Sequence, residues 1–180
     1  LSEKIIAVDE QGRMTGTLDK MRAHITGQLH RAFSIFVFNT GGELLLQQRA
    51  EGKYHSGGKW TNTCCSHPRL GEHTDVAVHR RLREEMGFDC ELKEMFSFRY
   101  RQSLENGLIE HEFDHVFFGR SDLQPSPDSS EVMAFKYLDM QELAADLEAN
   151  PGNYSVWLKI CFELVMEHYN QQINYAKRDH

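Results

Sequence analysis

The order of apolar and polar residues changes period several times along the chain, and each change marks an element. Residues 3–9 and 13–18 read as short strands around Gln11-Gly12, and a polar turn of helix follows from Asp19 to about His24. Residues 29–38 are apolar on both faces, the pattern of a central strand. The turn Asn39-Thr40-Gly41-Gly42 leads into a second apolar strand, 43–49, which most simply pairs with the first as a hairpin. Residues 50–59 are Gly-rich and basic and are expected as a loop, and 60–64 is a short extended piece before a second loop.

From 74 to 86 the period becomes helical, with Val78, Leu82 and Met86 at i, i+4, i+8 and Gly87 placed as the C-cap. Two alternating segments, 92–101 and 108–118, are joined by 102–107 as a hairpin, and 132–138 forms a further strand. Asp139 with Glu142 resembles a capping box opening a helix to about Ala149. A last helix begins at Ser155, with Val156, Ile160, Leu164 and Tyr169 near helical spacing and Trp157, Cys161 and Val165 widening the stripe. Mixed strands with about three helices predict an α+β fold or a mixed-sheet α/β/α sandwich.

Composition narrows the class. A chain of 180 residues with 40% hydrophobic content can bury a core without staples, and 124–130 is too short to divide it, so 1–180 is expected as a single domain. Its N-terminal strands and C-terminal helix would then pack on that domain. The formal charge of -7, from 20 basic and 27 acidic residues, argues against a general nucleic-acid binder and leaves room for a local basic pocket. No apolar run approaches a membrane span, and the first ten residues lack a basic start or long apolar stretch, so neither a span nor a signal peptide is expected. Four cysteines without framework spacing point to a reducing compartment, hence the cytoplasm, and ten histidines need an explanation.

The strand 108–118 carries the sharpest chemical signal. Period two places Glu110, Glu112 and Asp114 on one face and Ile109, Phe113 and Phe117 on the other. His24, His30 and His67 fall in or beside loops. Three imidazoles with two carboxylates would form an N/O site for zinc, manganese or iron, with more ligands than a closed tetrahedral site uses. Cys65 lies in a loop two residues before His67, where a cation would help stabilise a thiolate. Lys20, Arg49, Lys53 and Arg81 are available as a diphosphate clamp, although most such cations only solvate a surface.

From Gly16-Thr17-Leu18-Asp19-Lys20 to Trp157 the chain resembles the type I isopentenyl diphosphate isomerases of the Nudix-fold superfamily. The most specific stretch is Lys59-Trp60-Thr61-Asn62-Thr63-Cys64-Cys65-Ser66-His67-Pro68, followed by Gly71-Glu72. The Nudix box aligns its first Glu with Glu72, its Arg with Arg80 and its ending with Glu84, Glu85, Gly87 and Phe88. Two positions depart: Ser66 stands for the first Gly and Arg81 for the second Glu. Losing that carboxylate removes part of the multi-metal apparatus that activates water in Nudix hydrolases, and a cation there suits a diphosphate that is held rather than cleaved. The stretch from His24 to His30 is also one residue shorter than in the best-known bacterial members.

The resemblance implies a Nudix-like sandwich that interconverts isopentenyl and dimethylallyl diphosphate through a tertiary carbocation. It implies His24, His30, His67, Glu110 and Glu112 as ligands of one divalent metal (manganese, zinc or magnesium), Glu85 as a ligand of magnesium on the diphosphate, and Cys65 and Glu112 as the acid/base pair. Tyr100 would assist Glu112, Trp157 would face the cation, and Lys20, Arg49, Lys53 and Arg81 would bind substrate. The implied partner is a small isoprenoid diphosphate, with no nucleic acid or membrane, bound by a monomer or weak dimer. A Nudix hydrolase of nucleoside diphosphate derivatives and a non-enzymatic metal-stabilised scaffold are the rival readings.

Overall fold

In a computed structural model describing residues 3–178, nine strands form one mixed sheet and four α-helices flank it. β1 (Lys4–Val8) and β2 (Met14–Asp19) make an antiparallel pair, and Asp19 caps α1 (Lys20–Thr26) by accepting from the Arg22 N–H at 3.1 Å. β3 (His30–Phe38) is the central strand. One of its edges pairs in parallel, from His30 to Phe38, with β8 (Ile109–Arg120), which in turn pairs with β7 (Leu92–Ser103).

The other edge of β3 is shared in sequence by three strands, and this differs from the simple hairpin predicted. β1 meets it at His30, β6 (Cys64–Ser66) pairs along Phe33–Ile35, and β4 (Leu44–Arg49) touches it only at Phe38–Leu44. β4 instead pairs along its length with β9 (Val132–Leu138), and with β5 (Trp60–Thr61) near its end. β3 and β4 therefore part just beyond their turn, and residues 60–66 cross the gap as β5 and β6 joined by a bend at Asn62-Thr63, with Cys65 on a strand where a loop was expected.

Polar side chains stand in for the missing β3–β4 ladder. The Thr63 hydroxyl accepts from the Val37 N–H at 2.9 Å and donates to the Leu45 carbonyl at 2.6 Å, joining the two strands across the gap. Asn62 donates to the carbonyls of Ile35 and Cys64 at 3.0 Å each. Both side chains are fully buried, which explains why polar residues interrupt an otherwise apolar core.

Each sheet face has its own core. α2 (Thr74–Met86) lays Val78, Leu82 and Met86 against Phe33, Ile35, Val37, Leu45 and Phe117, while α3 (Met140–Ala149) and α4 (Val156–Arg178) cover Phe36, Leu44, Leu46, Val116 and Phe118. α2 ends as predicted: Gly87 adopts φ 73°, and a Cβ there would lie 2.2 Å from the Ser126 carbonyl oxygen, so only glycine fits. The stripe on α4 is corrected. Trp157, Leu158, Cys161 and Val165 face the sheet, whereas Ile160 and Leu164 are exposed, because the helix is rotated to put its indole-bearing face inward. No helix among the described residues is long and apolar enough to cross a membrane.

Replacing Thr63 by Val keeps shape but strands one buried N–H and one buried C=O, at roughly 1–3 kcal/mol for each unsatisfied group. Thr63→Val is therefore expected to lower stability by about 2–4 kcal/mol in urea denaturation. A midpoint unchanged from the parent would show that the hydroxyl does not hold the strands together.

Candidate active site at the parted strands

The split in the sheet opens a cleft lined by residues from eight elements and the 50–59 loop. Lys20, Arg49, Lys53, Cys65, His67, Arg81, Glu85, Tyr100, Glu110, Glu112 and Trp157 all reach it, and His24 and His30 lie fully buried beside them. The alternation of β8 is the cause. Its Glu110, Glu112 and Asp114 point into the molecule instead of to solvent, with Glu112 opposite His30 and Asp114 opposite Ala32 on β3.

The imidazoles are wired for lone-pair donation. His24 Nδ1 donates to the Lys20 carbonyl at 2.7 Å and His30 Nδ1 to the Gln28 carbonyl at 2.9 Å, which places a proton on each Nδ1 and turns each Nε2 toward the carboxylates. His24 Nε2 is 2.9 Å from Glu110 Oε1 and 3.4 Å from the Tyr54 hydroxyl, and His30 Nε2 is 3.6 Å from Glu112 Oε1. Burial works against protonation, yet the Glu110 carboxylate pushes the His24 imidazole up, so a proton as well as a metal ion can sit between the two. His67 Nε2 lies 3.1 Å from the same Glu112 oxygen, and the ligand atoms of His24, His30, His67 and Glu112 all lie within 4.8 Å of one another. His30 Nε2, His67 Nδ1 and Glu110 Oε2 are buried without hydrogen-bond partners among the described residues. A divalent metal fits this donor set.

Protonation favours the same chemistry. Burial holds His67 down to about 4, hence neutral. Burial alone would raise the Glu112 carboxyl, but the His30 and His67 imidazoles outweigh it and hold Glu112 well below the usual carboxylate range. The Tyr100 hydroxyl, pushed well up by burial and then by Glu112, donates to Glu112 Oε2 at 2.8 Å.

Cys65 sits on β6 opposite Ser34. Burial, and then the charge of Asp114, pushes its thiol up to about 12, and it donates to Asn62 Oδ1 at 3.1 Å. The protein groups alone thus keep a thiol, where the sequence suggested a stabilised thiolate. Ser34 donates to Asp114 Oδ2 at 2.7 Å and lies 3.6 Å from the Cys65 sulfur, so the third carboxylate of β8 supports Cys65 rather than the imidazoles. Burial, and next Glu112, pushes the Asp114 carboxyl well up.

The four cations of the expected clamp converge, each already paired. Lys20 bonds Glu3 at 2.9 Å, Lys53 bonds Glu131, Arg49 donates to the His55 carbonyl at 3.1 Å, and Arg81 bonds Glu84 at 2.7 Å and also Glu85. Glu85 is buried and also accepts from Gln47 at 2.9 Å. Arg80 grips Glu72 with two bonds of 2.7 and 2.8 Å, closing the loop before α2 onto that helix. Arg49 lies 5.1 Å from the Trp157 ring centroid. His55 and Tyr54 also line the cleft, and sequence reading did not single them out: they lie in an aperiodic loop, where neither spacing nor period marks a side chain as inward.

The fold is that of the Nudix domain, whose model matches residues 28–158. The crystal structure of DR0079 from Deinococcus radiodurans overlays with a TM-score of 0.69 at 19% identity, covering 82% of this chain and 90% of that one. The isopentenyl-diphosphate Delta-isomerase 2 of Aromatoleum aromaticum is 53% identical over 92% of this chain and 88% of its own length. The isopentenyl-diphosphate Delta-isomerase of Pectobacterium atrosepticum is 46% identical over 92% and 93%. The chain belongs to the isopentenyl-diphosphate Delta-isomerase family within the Nudix domain proteins.

Removing Arg81 would leave Glu85 buried with Gln47 alone. Breaking a buried pair from one side costs about 3–5 kcal/mol. Arg81 is partly exposed, so Arg81→Met in metal-free buffer is expected near the lower figure, and Arg81→Met/Glu85→Gln is expected to recover most of it. Calorimetric unfolding checks both; equal loss in the single and double variants would show that the charge pair is not the cause.

Proposed function

We propose that this protein interconverts isopentenyl and dimethylallyl diphosphate, moving the double bond by adding a proton at the terminal alkene carbon and removing one from the allylic methylene. One observation carries the reading: a protonated thiol, Cys65, and an ionised carboxylate, Glu112, line one cleft from strands on opposite edges of β3, beside the Trp157 indole. Carbon protonation needs an acid and a base on separate sides of the substrate and no competing nucleophile.

Cys65 and Glu112 are the proton-transfer pair. They hold one transferable proton at rest, and because the interconversion is reversible each is acid in one direction and base in the other. Tyr100 orients Glu112 through its hydrogen bond to Oε2. Trp157 faces the tertiary cation, where a desolvated cation–π contact is worth about 2 kcal/mol, and keeps water from quenching it. Lys20, Arg49, Lys53 and Arg81 hold the diphosphate, exchanging their present carboxylate and carbonyl partners for phosphate oxygens.

His24, His30, His67, Glu110 and Glu112 hold a divalent metal, manganese, zinc or magnesium, and Glu85 holds magnesium with the diphosphate. Bound there, the metal supplies positive charge that orders Glu112 and adjusts its proton affinity. Arg81, paired with Glu84 and Glu85, disfavours the hydrolase reading, because a guanidinium occupies the position from which a Nudix hydrolase carboxylate would ligate metal.

Turnover in deuterated water is the direct test: dimethylallyl diphosphate is expected with deuterium in the new methyl group. Absence of both product and exchange, with phosphate released from nucleotides instead, would replace the isomerase reading by the hydrolase one. Cys65→Ala and Glu112→Gln are each expected to fold and to lose at least about 10²–10⁴ in turnover, the usual worth of a positioned acid or base. Near-parental turnover in either removes that residue from the pair. Chelator treatment is expected to abolish turnover and readdition of manganese, zinc or magnesium to restore it, whereas loss of circular dichroism on chelation would favour a purely structural metal.

A further inference from the structure

His55 lies between β4 and β5, outside the residues that the resemblance singles out, yet only 6% of its surface is exposed. Its Nε2 is 3.0 Å from Glu110 Oε1, the oxygen that also lies 2.9 Å from His24 Nε2. The two imidazoles differ in what holds their other nitrogen. His24 Nδ1 must donate, because its partner is a carbonyl. His55 Nδ1 faces the Ser56 hydroxyl at 3.2 Å, and a hydroxyl can donate to it. With Ser56 donating, the proton of His55 sits on Nε2 and points at Glu110.

The loop is folded tightly to achieve this. Ser56 has φ 52°, a left-handed conformation uncommon outside glycine. At the next residue, a Cβ on Gly57 would lie 2.5 Å from the Glu51 carbonyl oxygen, so the chain turns back on itself just after the imidazole. The ring of His55 meets the Trp157 indole edge-on, at 5.7 Å and 85°. His55 thus touches both a carboxylate of the imidazole cluster and the aromatic wall of the cleft.

We infer that His55 is a positioning residue: an Nε2–H donor that fixes the Glu110 carboxylate through Oε1, leaving Oε2 as the free ligand atom, and that seats Trp157 with the same ring. The unpartnered, buried Oε2 is the observation that makes this arrangement purposeful, because a carboxylate oxygen left dry and unbonded is costly unless a cation meets it. Ser56 acts one step further out, by setting the tautomer of His55. This inference rests on the metal reading proposed above.

The test uses the full chain, stripped of metal and titrated with zinc or manganese alone against a chromogenic chelator, with tryptophan fluorescence recorded in parallel. Outer partners of metal ligands are typically worth about 10–100-fold in affinity, so His55→Ala is expected to fall in that range and to shift the emission. His55→Gln, whose amide can still donate to Glu110, is expected to recover most of the affinity. Ser56→Gly keeps the left-handed backbone and the ring but removes the hydroxyl, and is expected to weaken binding in the same direction. Parental affinity in His55→Ala, or folded His55→Gln as impaired as His55→Ala, overturns the inference while leaving the metal reading intact. Should His55→Ala not fold, parental affinity in Ser56→Gly overturns it. Failure of the parent itself to bind either metal overturns both.

Discussion

The structure turns on one hydroxyl held between two strands that no longer touch. β3 and β4 pair at Phe38–Leu44 and then separate, and Thr63 accepts from one and donates to the other across the opening. A continuous ladder at this position would have closed the cleft. By carrying 60–66 through the gap, the fold satisfies the freed backbone groups and delivers Cys65 and His67 to the cleft. Local backbone accounting and the placement of the reactive groups are the same event. It explains why the segment reads Thr-Asn-Thr-Cys-Cys where apolar side chains would pack equally well.

The second constraint is electrostatic. Glu85, Glu110, Glu112 and Asp114 are buried within or beside one cleft. Such a concentration is tolerable only because each carboxylate has a different answer to burial. Glu85 takes Arg81, Glu110 and Glu112 face the imidazoles of His24, His30, His55 and His67, and Asp114, pushed well up by burial, accepts from Ser34. The overall charge of -7 therefore says little about what the cleft attracts, since a metal and four convergent cations can turn its inner surface toward anions.

How much of this can be read from residues alone depends on the range of the interaction. The bounds of α2 and the strand 132–138 are legible because period and capping are local, as are the inward carboxylates of β8 once alternation is noticed. The parallel β3–β8 pairing is not, because nothing near either strand encodes its partner, and neighbouring apolar strands around Asn39-Gly42 look like a hairpin. The stripe of α4 is legible in part for a related reason: Trp157, Cys161 and Val165 are covered as expected, but Ile160 and Leu164 are as regular, and only the sheet decides that Leu158 is buried in their place. His55 escapes notice because its orientation is set by Ser56 and Gly57 through backbone conformation, which leaves no periodic trace.

The parallel pairing of β3 with β8 carries a consequence for how the molecule comes into being. Its contacts join segments far apart in the chain, as in the Ser34–Asp114 bond between residues 80 positions apart. Such pairings form late, since the loop between them must be closed before any contact rewards it. On a growing chain the imidazoles of His24 and His30 emerge long before Glu110 and Glu112, so the cluster has no meaning until β8 docks. Assembly of the cleft and completion of the apolar layers that shelter it are thus tied to one step.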